Sequence, residues 1–230
     1  MPSADAEARN WMIDGQLLTN KITDPKLLAA MATVPRERFV PAPFIGTAYV
    51  DEEIPLAGNR MLMEPLVLAR LLQSLELAGS ERVLIVGGAT GYSAALVAHL
   101  AAEVVMVEES AAFVEQARAA TSALGLRNVE TLLRRLEEAA VGLPSFDAIL
   151  IEGAVQQVPR SIIAALREGG RLAYVENRAL RPAATGRAAT GLGTLMAALK
   201  RGGQVTASAL TEAGVTLLPG FARHETFQFS

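Results

Sequence analysis

Two patterns of apolar residues recur along the chain: short continuous runs, which indicate buried strands, and helical spacing, which indicates amphipathic helices. The clearest example is the apolar run at 83–86, which leads into glycines and then into helical spacing from Tyr92 to Leu100. A second apolar run covers 104–107 and ends at Glu108. Runs of this kind favour strands buried on both faces of a parallel sheet, with the intervening helix as the crossover.

The same alternation continues toward the C-terminus. Strands are predicted over 128–133, 146–151 and 171–175, and helices over 111–124, capped by Ser110, and over 159–166. β-like runs at 194–200 and 204–210 predict an antiparallel hairpin, and 226–229 predicts a final strand. The pattern predicts an α/β fold: a doubly wound, mostly parallel sheet that binds its ligands beyond the carboxyl ends of the strands.

The first part of the chain reads as helical rather than strand-rich. Asp24 followed by Pro25 predicts the start of a helix, and Glu64-Pro65 predicts another. We expect one domain over residues 1–230, with the helical segment 1–57 packed on the sheet. The stretch 179–193, rich in Ala, Arg, Gly and Thr, predicts a mobile loop.

The residues after the first predicted strand are the main candidates for ligand binding. The loop reads Gly87-Gly88-Ala89-Thr90-Gly91, and no register of it gives the G-x-G-x-x-G pattern of dinucleotide sites. It is instead typical of S-adenosylmethionine enzymes, in which no phosphate has to be bound. Glu108, twenty-one residues after Gly87, lies where an acid binds ribose hydroxyls. The alternative is a glycine-rich turn without a ligand.

These positions define a predicted cofactor site at the ends of the strands. Its members are Gly87, Gly88, Ala89, Gly91, Tyr92, Glu108 and Glu152. Glu152 is the least specific of them, because an acid at the end of the fourth strand serves equally well to cap a loop.

Composition narrows the function classes. The net charge is −3 with both signs interspersed, so no nucleic-acid or anionic-membrane surface is expected, and no apolar run approaches a membrane span. The absence of cysteine excludes disulfides, thiolate metal sites and cysteine nucleophiles. His99 and His224 do not form a metal site, so none is predicted. No signal-peptide pattern is visible at the N-terminus, and we expect a cytoplasmic protein.

From about Asp14 to Phe229 the chain resembles the protein-L-isoaspartate O-methyltransferases. The resemblance is carried by T-D-P-K-L-L-A-A-M at 23–31, V-P-R-E-R-F-V-P at 34–41, A-Y at 48–49, I-P-L at 54–56, G-Y-S-A-A at 91–95, F-D-A-I at 146–149 and L-L-P-G-F at 217–221. It implies a Rossmann-like methyltransferase fold with seven strands and S-adenosyl-L-methionine as the cofactor. It also implies a protein or peptide substrate, methylated on the α-carboxyl of isoaspartyl residues.

Three departures from the family pattern bear on activity. Met61 and Met63 stand where the family has the threonine and the serine of a T-I-S-(Q/A)-P segment, and neither donates a hydrogen bond. Ala89 replaces the middle glycine of the loop. The acid that the family places after strand three has no clear counterpart, since Leu133-Arg134-Arg135 occupies that stretch and Glu137 or Glu138 would substitute only if the loop shifted.

The acceptor side of the site is predicted from the same alignment. The expected substrate-binding residues are Met61, Met63, Gly153, Ala154 and Val155, and no residue is assigned a catalytic role. Two functions stay open at this point. The chain is either an isoaspartyl carboxyl methyltransferase or a divergent relative that lacks repair activity. Such a relative would bind cofactor or partner without catalysis, or would methylate another acceptor.

Overall fold

The computed structural model describes residues 3–178 and 190–221. Its helices are α1 (Ala4–Trp11), α2 (Pro25–Thr33), α3 (Pro65–Ser74), α4 (Tyr92–Val97), α5 (Ala111–Ala123) and α6 (Arg160–Ala165). Its strands are β1 (Ile54–Pro55), β2 (Met61–Leu62), β3 (Arg82–Val86), β4 (Glu103–Glu108), β5 (Val129–Leu133), β6 (Phe146–Val155), β7 (Leu166–Glu176), β8 (Thr190–Arg201) and β9 (Gln204–Thr216). Short 3₁₀ and π-helical turns fill much of the segment before β1.

Seven strands form one sheet in the order β5-β4-β3-β6-β7-β8-β9. The five strands from β5 to β7 are parallel, and β8 and β9 pair antiparallel at one edge. The small β1–β2 ladder lies outside this sheet. The strand order reverses next to β3, so the carboxyl ends of β3, β4 and β6 meet at a switch point, where ligands bind in such sheets.

The apolar runs explain why the central strands are buried on both faces. Val83 and Ile85 of β3 belong to one hydrophobic cluster and Leu84 and Val86 to another, and all four are fully buried. The first cluster also takes in apolar residues of the N-terminal segment, among them Met12. The segment before β1 therefore packs onto the same face of the sheet as α3 and α4.

The helix starts follow the predicted capping. The Asp24 carboxylate accepts the backbone N–H groups of Lys26 and Leu27, and Pro25 is the first residue of α2. The helix after the glycine loop ends at Val97, one turn earlier than predicted. Among the residues that the structure describes, no helix has both the length and the apolar character to cross a membrane.

Several predicted boundaries differ from the structure, among them that of the hairpin strand predicted over 204–210, which continues as β9 to Thr216. β6 continues to Val155, so residues 153–155 are strand and not loop, and a register irregularity between Leu150 and Ala154 accommodates them. β7 begins at Leu166, five residues before the strand predicted over 171–175, and it includes Gly169 at a positive φ. Residues 190–193, predicted to be mobile loop, belong to β8. The rest of that loop, the strand over 226–229 and His224 lie outside the described residues.

Candidate active site at the carboxyl ends of the central strands

The glycine loop makes a tight turn between β3 and α4. Gly87 has a φ of 79° and Gly91 a φ of 93°, conformations that favour glycine. A Cβ atom on Gly88 would lie 2.8 Å from Met106 Sδ, and one on Gly91 would lie 2.8 Å from Ala117 Cβ. The loop is therefore packed against β4 and α5, and its glycines are required for this close approach.

Glu108 lies at the end of β4 with its side chain fully buried against this loop. Oε2 accepts the N–H of Ala89 at 3.0 Å, and Oε1 accepts the N–H groups of Glu109 at 2.8 Å and Ser110 at 3.2 Å. Hydrogen bonds of this kind stabilise the ionised form of a carboxylate. The acid predicted to bind ribose thus lies beside the predicted loop, as the sequence spacing requires.

Arg60, which sequence reasoning missed, is the principal partner of Glu108. Its Nη1 lies 2.8 Å from Glu108 Oε1, its Nη2 donates to the Gly87 carbonyl at 2.7 Å, and the residue is 5% exposed. The available signal was a single basic residue between two apolar stretches, Leu56-Ala57 and 61–63. A charge in that position is buried only when a partner of opposite sign is buried with it.

Glu152 lies near the end of β6 and faces the same region. Its Oε2 accepts the Ser93 hydroxyl of α4, while its Oε1 is buried without a hydrogen-bond partner among the described residues. Burial raises the pKa of Glu152 to about 7, and the positive charges of Arg60 and Arg36 oppose that rise. An acid in this state holds or releases a proton near neutral pH.

The segment after β9 covers the region that was predicted to bind the acceptor. Leu218 donates its N–H to the Ala154 carbonyl at 2.8 Å, and its side chain lies over Gly87 and Gly153. The cavity that remains there measures about 10 Å³, roughly the room for one water molecule. Its lining includes Arg60, Met61, Met63, Glu152, Gly153 and Leu218.

The structure brings most of the predicted residues together. The exceptions are Ala154 and Val155, which are buried in β6 and do not line the cavity, and Tyr92, whose ring lies under the Arg36 guanidinium at 4.8 Å. Glu137 lies four residues beyond the end of β5, where it pairs with Arg135 and contacts the backbone at Gly220.

A larger groove of about 670 Å³ opens on the other side of the glycine loop. The V-P-R-E-R-F-V-P element contributes residues 38–41 to it, α5 contributes Phe113 and Gln116, and the loop contributes Thr90. Neither Glu108 nor a loop glycine lines this groove. The groove shares no lining residue with the cavity beside Glu152, although Phe113 of the groove lies 5.9 Å from the Arg60 guanidinium of the cavity.

The polar groups at the strand ends suit a nucleoside that carries a cationic amino-acid tail. Two buried carboxylates lie there, and Glu152 Oε1, which has no partner among the described residues, has the capacity to accept a hydrogen bond from a donor such as an ammonium group. In the conformation described, however, Arg60 and Leu218 fill the space above Gly87. The buried carboxylates of the site suit S-adenosylmethionine. The space above Gly87 is too small for it until the Arg60 and Leu218 side chains move.

A seven-stranded, mostly parallel sheet with an antiparallel end, a glycine loop after β3 and an acid at the end of β4 defines the class of Rossmann-like methyltransferases. Comparison with known proteins gives the family. Residues 8–180 match the model of the protein-L-isoaspartate(D-aspartate) O-methyltransferase family, and the chain belongs to that family.

Relatives and solved structures agree with this assignment. The chain is 36% identical over 174 residues to the protein-L-isoaspartate O-methyltransferase of Methanoregula boonei, covering 74% of this chain and 79% of the relative. It is 39% identical over 170 residues to that of Methylorubrum extorquens, covering 73% of each. A solved protein-L-isoaspartate O-methyltransferase superposes with a TM-score of 0.74 at 22% identity, covering 93% of this chain and 67% of the other, which supports the fold.

Proposed function

We propose that this chain transfers the methyl group of S-adenosylmethionine to the α-carboxylate of isoaspartyl residues in damaged proteins. The main structural support is the contact between the glycine loop after β3 and Glu108 at the end of β4, in which the Ala89 N–H donates to the Glu108 carboxylate. Membership in the isoaspartate methyltransferase family supplies the reaction. The alternative of a relative without repair activity finds no support in the comparisons, whose members carry the enzyme's name.

The cofactor side of the site is formed by residues of β3, β4 and β6. S-adenosylmethionine, when bound, supplies a methyl group on a positively charged sulfur. Gly87, Gly88, Ala89 and Gly91 form the turn that bounds the site. Glu108 is placed to accept the ribose hydroxyls, and the unpaired oxygen of Glu152 to accept a hydrogen bond from the amino-acid part. Tyr92 supports the loop from the first position of α4.

The acceptor side needs little acid–base chemistry. A carboxylate is already ionised at pH 7 and attacks an electrophilic methyl group directly, so no proton has to be removed. The protein's part is to align donor and acceptor and to exclude water. Met63, 2% exposed, and Met61 form an apolar wall beside Gly153 that serves the second purpose. Gly153 brings β6 backbone close to the acceptor, whereas Ala154 and Val155 support it from within the strand.

The test is a titration with S-adenosylhomocysteine, read by calorimetry on wild type, Glu108→Gln and the control Glu103→Gln. Glu103 lies at the other end of β4 with an exposed side chain. A charge-assisted hydrogen bond contributes about 1.5–3 kcal/mol, so E108Q should weaken binding about tenfold to a hundredfold, and E103Q should bind like wild type. Equal affinities in E108Q and wild type would place the cofactor elsewhere. The cytoplasmic location stays a prediction, which cell fractionation tests.

A further inference from the structure

The Arg60–Glu108 ion pair occupies the position that a nucleoside ligand needs. Arg60 is held at two points, by the Glu108 carboxylate at 2.8 Å and by the Gly87 carbonyl at 2.7 Å, and its guanidinium lies 5.9 Å from the Phe113 ring. Side chains of the pair are 6% and 0% exposed. Within the described residues, the Glu108 carboxylate accepts hydrogen bonds from Arg60 and from the N–H groups of Ala89, Glu109 and Ser110.

Leu218 closes the remaining space from the opposite side. A Cβ atom on Gly87 would lie 2.8 Å from Leu218 Cδ1 and 3.2 Å from Arg60 Nη2, and a Cβ atom on Gly153 would also lie 2.8 Å from Leu218 Cδ1. The two bare glycines thus face Leu218, and Gly87 also faces Arg60. A ligand that uses Glu108 and the surface of Gly87 has to displace both side chains.

We propose that Arg60 and Leu218 together set the affinity of the site for its cofactor: Arg60 competes with the cofactor for Glu108, and both side chains compete with it for the space over Gly87. The proposal rests on the proposed function, because it takes the ligand to be S-adenosylmethionine or its product. A ligand that binds only the opened state has its apparent affinity reduced by the fraction of molecules that are open. A buried pair with good geometry keeps that fraction low, and removal of Arg60 raises it while leaving Glu108 available to the ligand.

A purely structural role for Arg60 predicts the opposite sign. If the pair only stabilised the fold, removing one partner would leave a buried carboxylate uncompensated, and the site would lose order and affinity. If Arg60 competes with the cofactor, the same substitution lowers the stability of the free protein and tightens its binding of the ligand. The direction of the change in affinity therefore separates the two roles.

The experiment compares the dissociation constant of S-adenosylhomocysteine for wild type, Arg60→Gln and the control Arg118→Gln, measured by calorimetry. Arg118 is an exposed arginine of α5 that pairs with Glu115 at 3.2 Å, outside the site. We expect R60Q to bind about tenfold more tightly or better, and R118Q to bind like wild type. Unchanged or weaker binding by R60Q, with its circular dichroism spectrum intact, would overturn the proposal.

Leu218→Ala provides a second route if R60Q does not fold. It opens the space over Gly87 and Gly153 and leaves the ion pair intact, so we expect tighter binding, by a smaller factor than in R60Q. Binding equal to wild type in L218A would then overturn the proposal. Failure of the proposed function looks different: R60Q or L218A would bind S-adenosylhomocysteine more tightly, yet no variant would methylate an isoaspartyl peptide.

Discussion

Glu152 is a buried acid whose proton is held more tightly in the folded chain than in the unfolded one. The residue is 5% exposed, and burial is the main reason that its pKa rises to about 7 from the ordinary value of 4.5. Between about pH 4.5 and pH 7 the folded state binds this proton while the unfolded state has lost it. The free energy of unfolding therefore falls as the pH rises through that window.

Replacing Glu152 by Gln should flatten this dependence. A displacement of this size corresponds to on the order of 3 kcal/mol, so between about pH 4.5 and pH 8 E152Q should lose less stability than wild type by an amount of that order. Urea unfolding across this range measures the difference. Glu64→Gln is the comparison, because Glu64 is half-buried and its pKa also rises to about 7, mainly through burial. Parallel curves for wild type and E152Q would contradict the assignment.

Ala89 is a non-glycine residue with a φ of 46° in the middle of the glycine loop. This conformation costs an L-residue roughly 1–2 kcal/mol, and glycine adopts it freely. Ala89→Gly should therefore raise the free energy of unfolding by about 1 kcal/mol. The matched control is Ala119→Gly at an exposed position within α5, which should lower stability by about 1 kcal/mol. A loss of stability in A89G would show that the methyl group makes a favourable contact.

Among the elements, the V-P-R-E-R-F-V-P turn is joined to the site by one buried side chain. Arg36 is fully buried and donates from Nε to the Ala48 carbonyl and from Nη2 to the Met63 carbonyl, both at 2.7 Å. Its guanidinium also lies over the Tyr92 ring of α4. Arg36 therefore fixes the N-terminal segment against Met63, which belongs to the proposed acceptor wall, and against the first residue of α4.

Arg36→Met should destabilise the chain strongly while Arg38→Met should not. R36M leaves two buried carbonyls without donors and removes a charge near Glu152, and a change of this kind costs about 3 kcal/mol or more. Arg38 lies two residues along the same turn with an exposed side chain, and surface substitutions stay within about 0.5 kcal/mol. Chemical denaturation measures both variants. Equal stabilities would mean that the element is held by its apolar residues alone.

For the molecule as a whole, the local sequence pattern was enough to predict the parallel strands, the hairpin and the position of the candidate site. The apolar runs gave the five parallel strands and the hairpin, because a run buried on both faces has few other conformations. The spacing from Gly87 to Glu108 placed these residues side by side, because neighbouring parallel strands have their carboxyl ends on the same side of the sheet. Fold class and the core of the site followed from these two regularities.

What could not be predicted depends on contacts between distant parts of the chain. Arg60 meets Glu108 across 48 residues, and Ser93 meets Glu152 across 59. Leu218 reaches Gly87 because the segment after β9 pairs with Ala154 of β6. The strand extension to Val155 depends on pairing with β7 and on the bridge to Leu217. No periodicity in the sequence encodes such pairings.

The reaction itself gives the most direct test of the central claim. Purified wild-type protein is incubated with methyl-labelled S-adenosylmethionine and two peptides of identical composition, one with an isoaspartyl and one with an ordinary aspartyl linkage. We expect label on the isoaspartyl peptide, released by mild base as for a methyl ester, and none on the aspartyl peptide. Equal labelling of both peptides, or no labelling by wild type and R60Q alike, would contradict it.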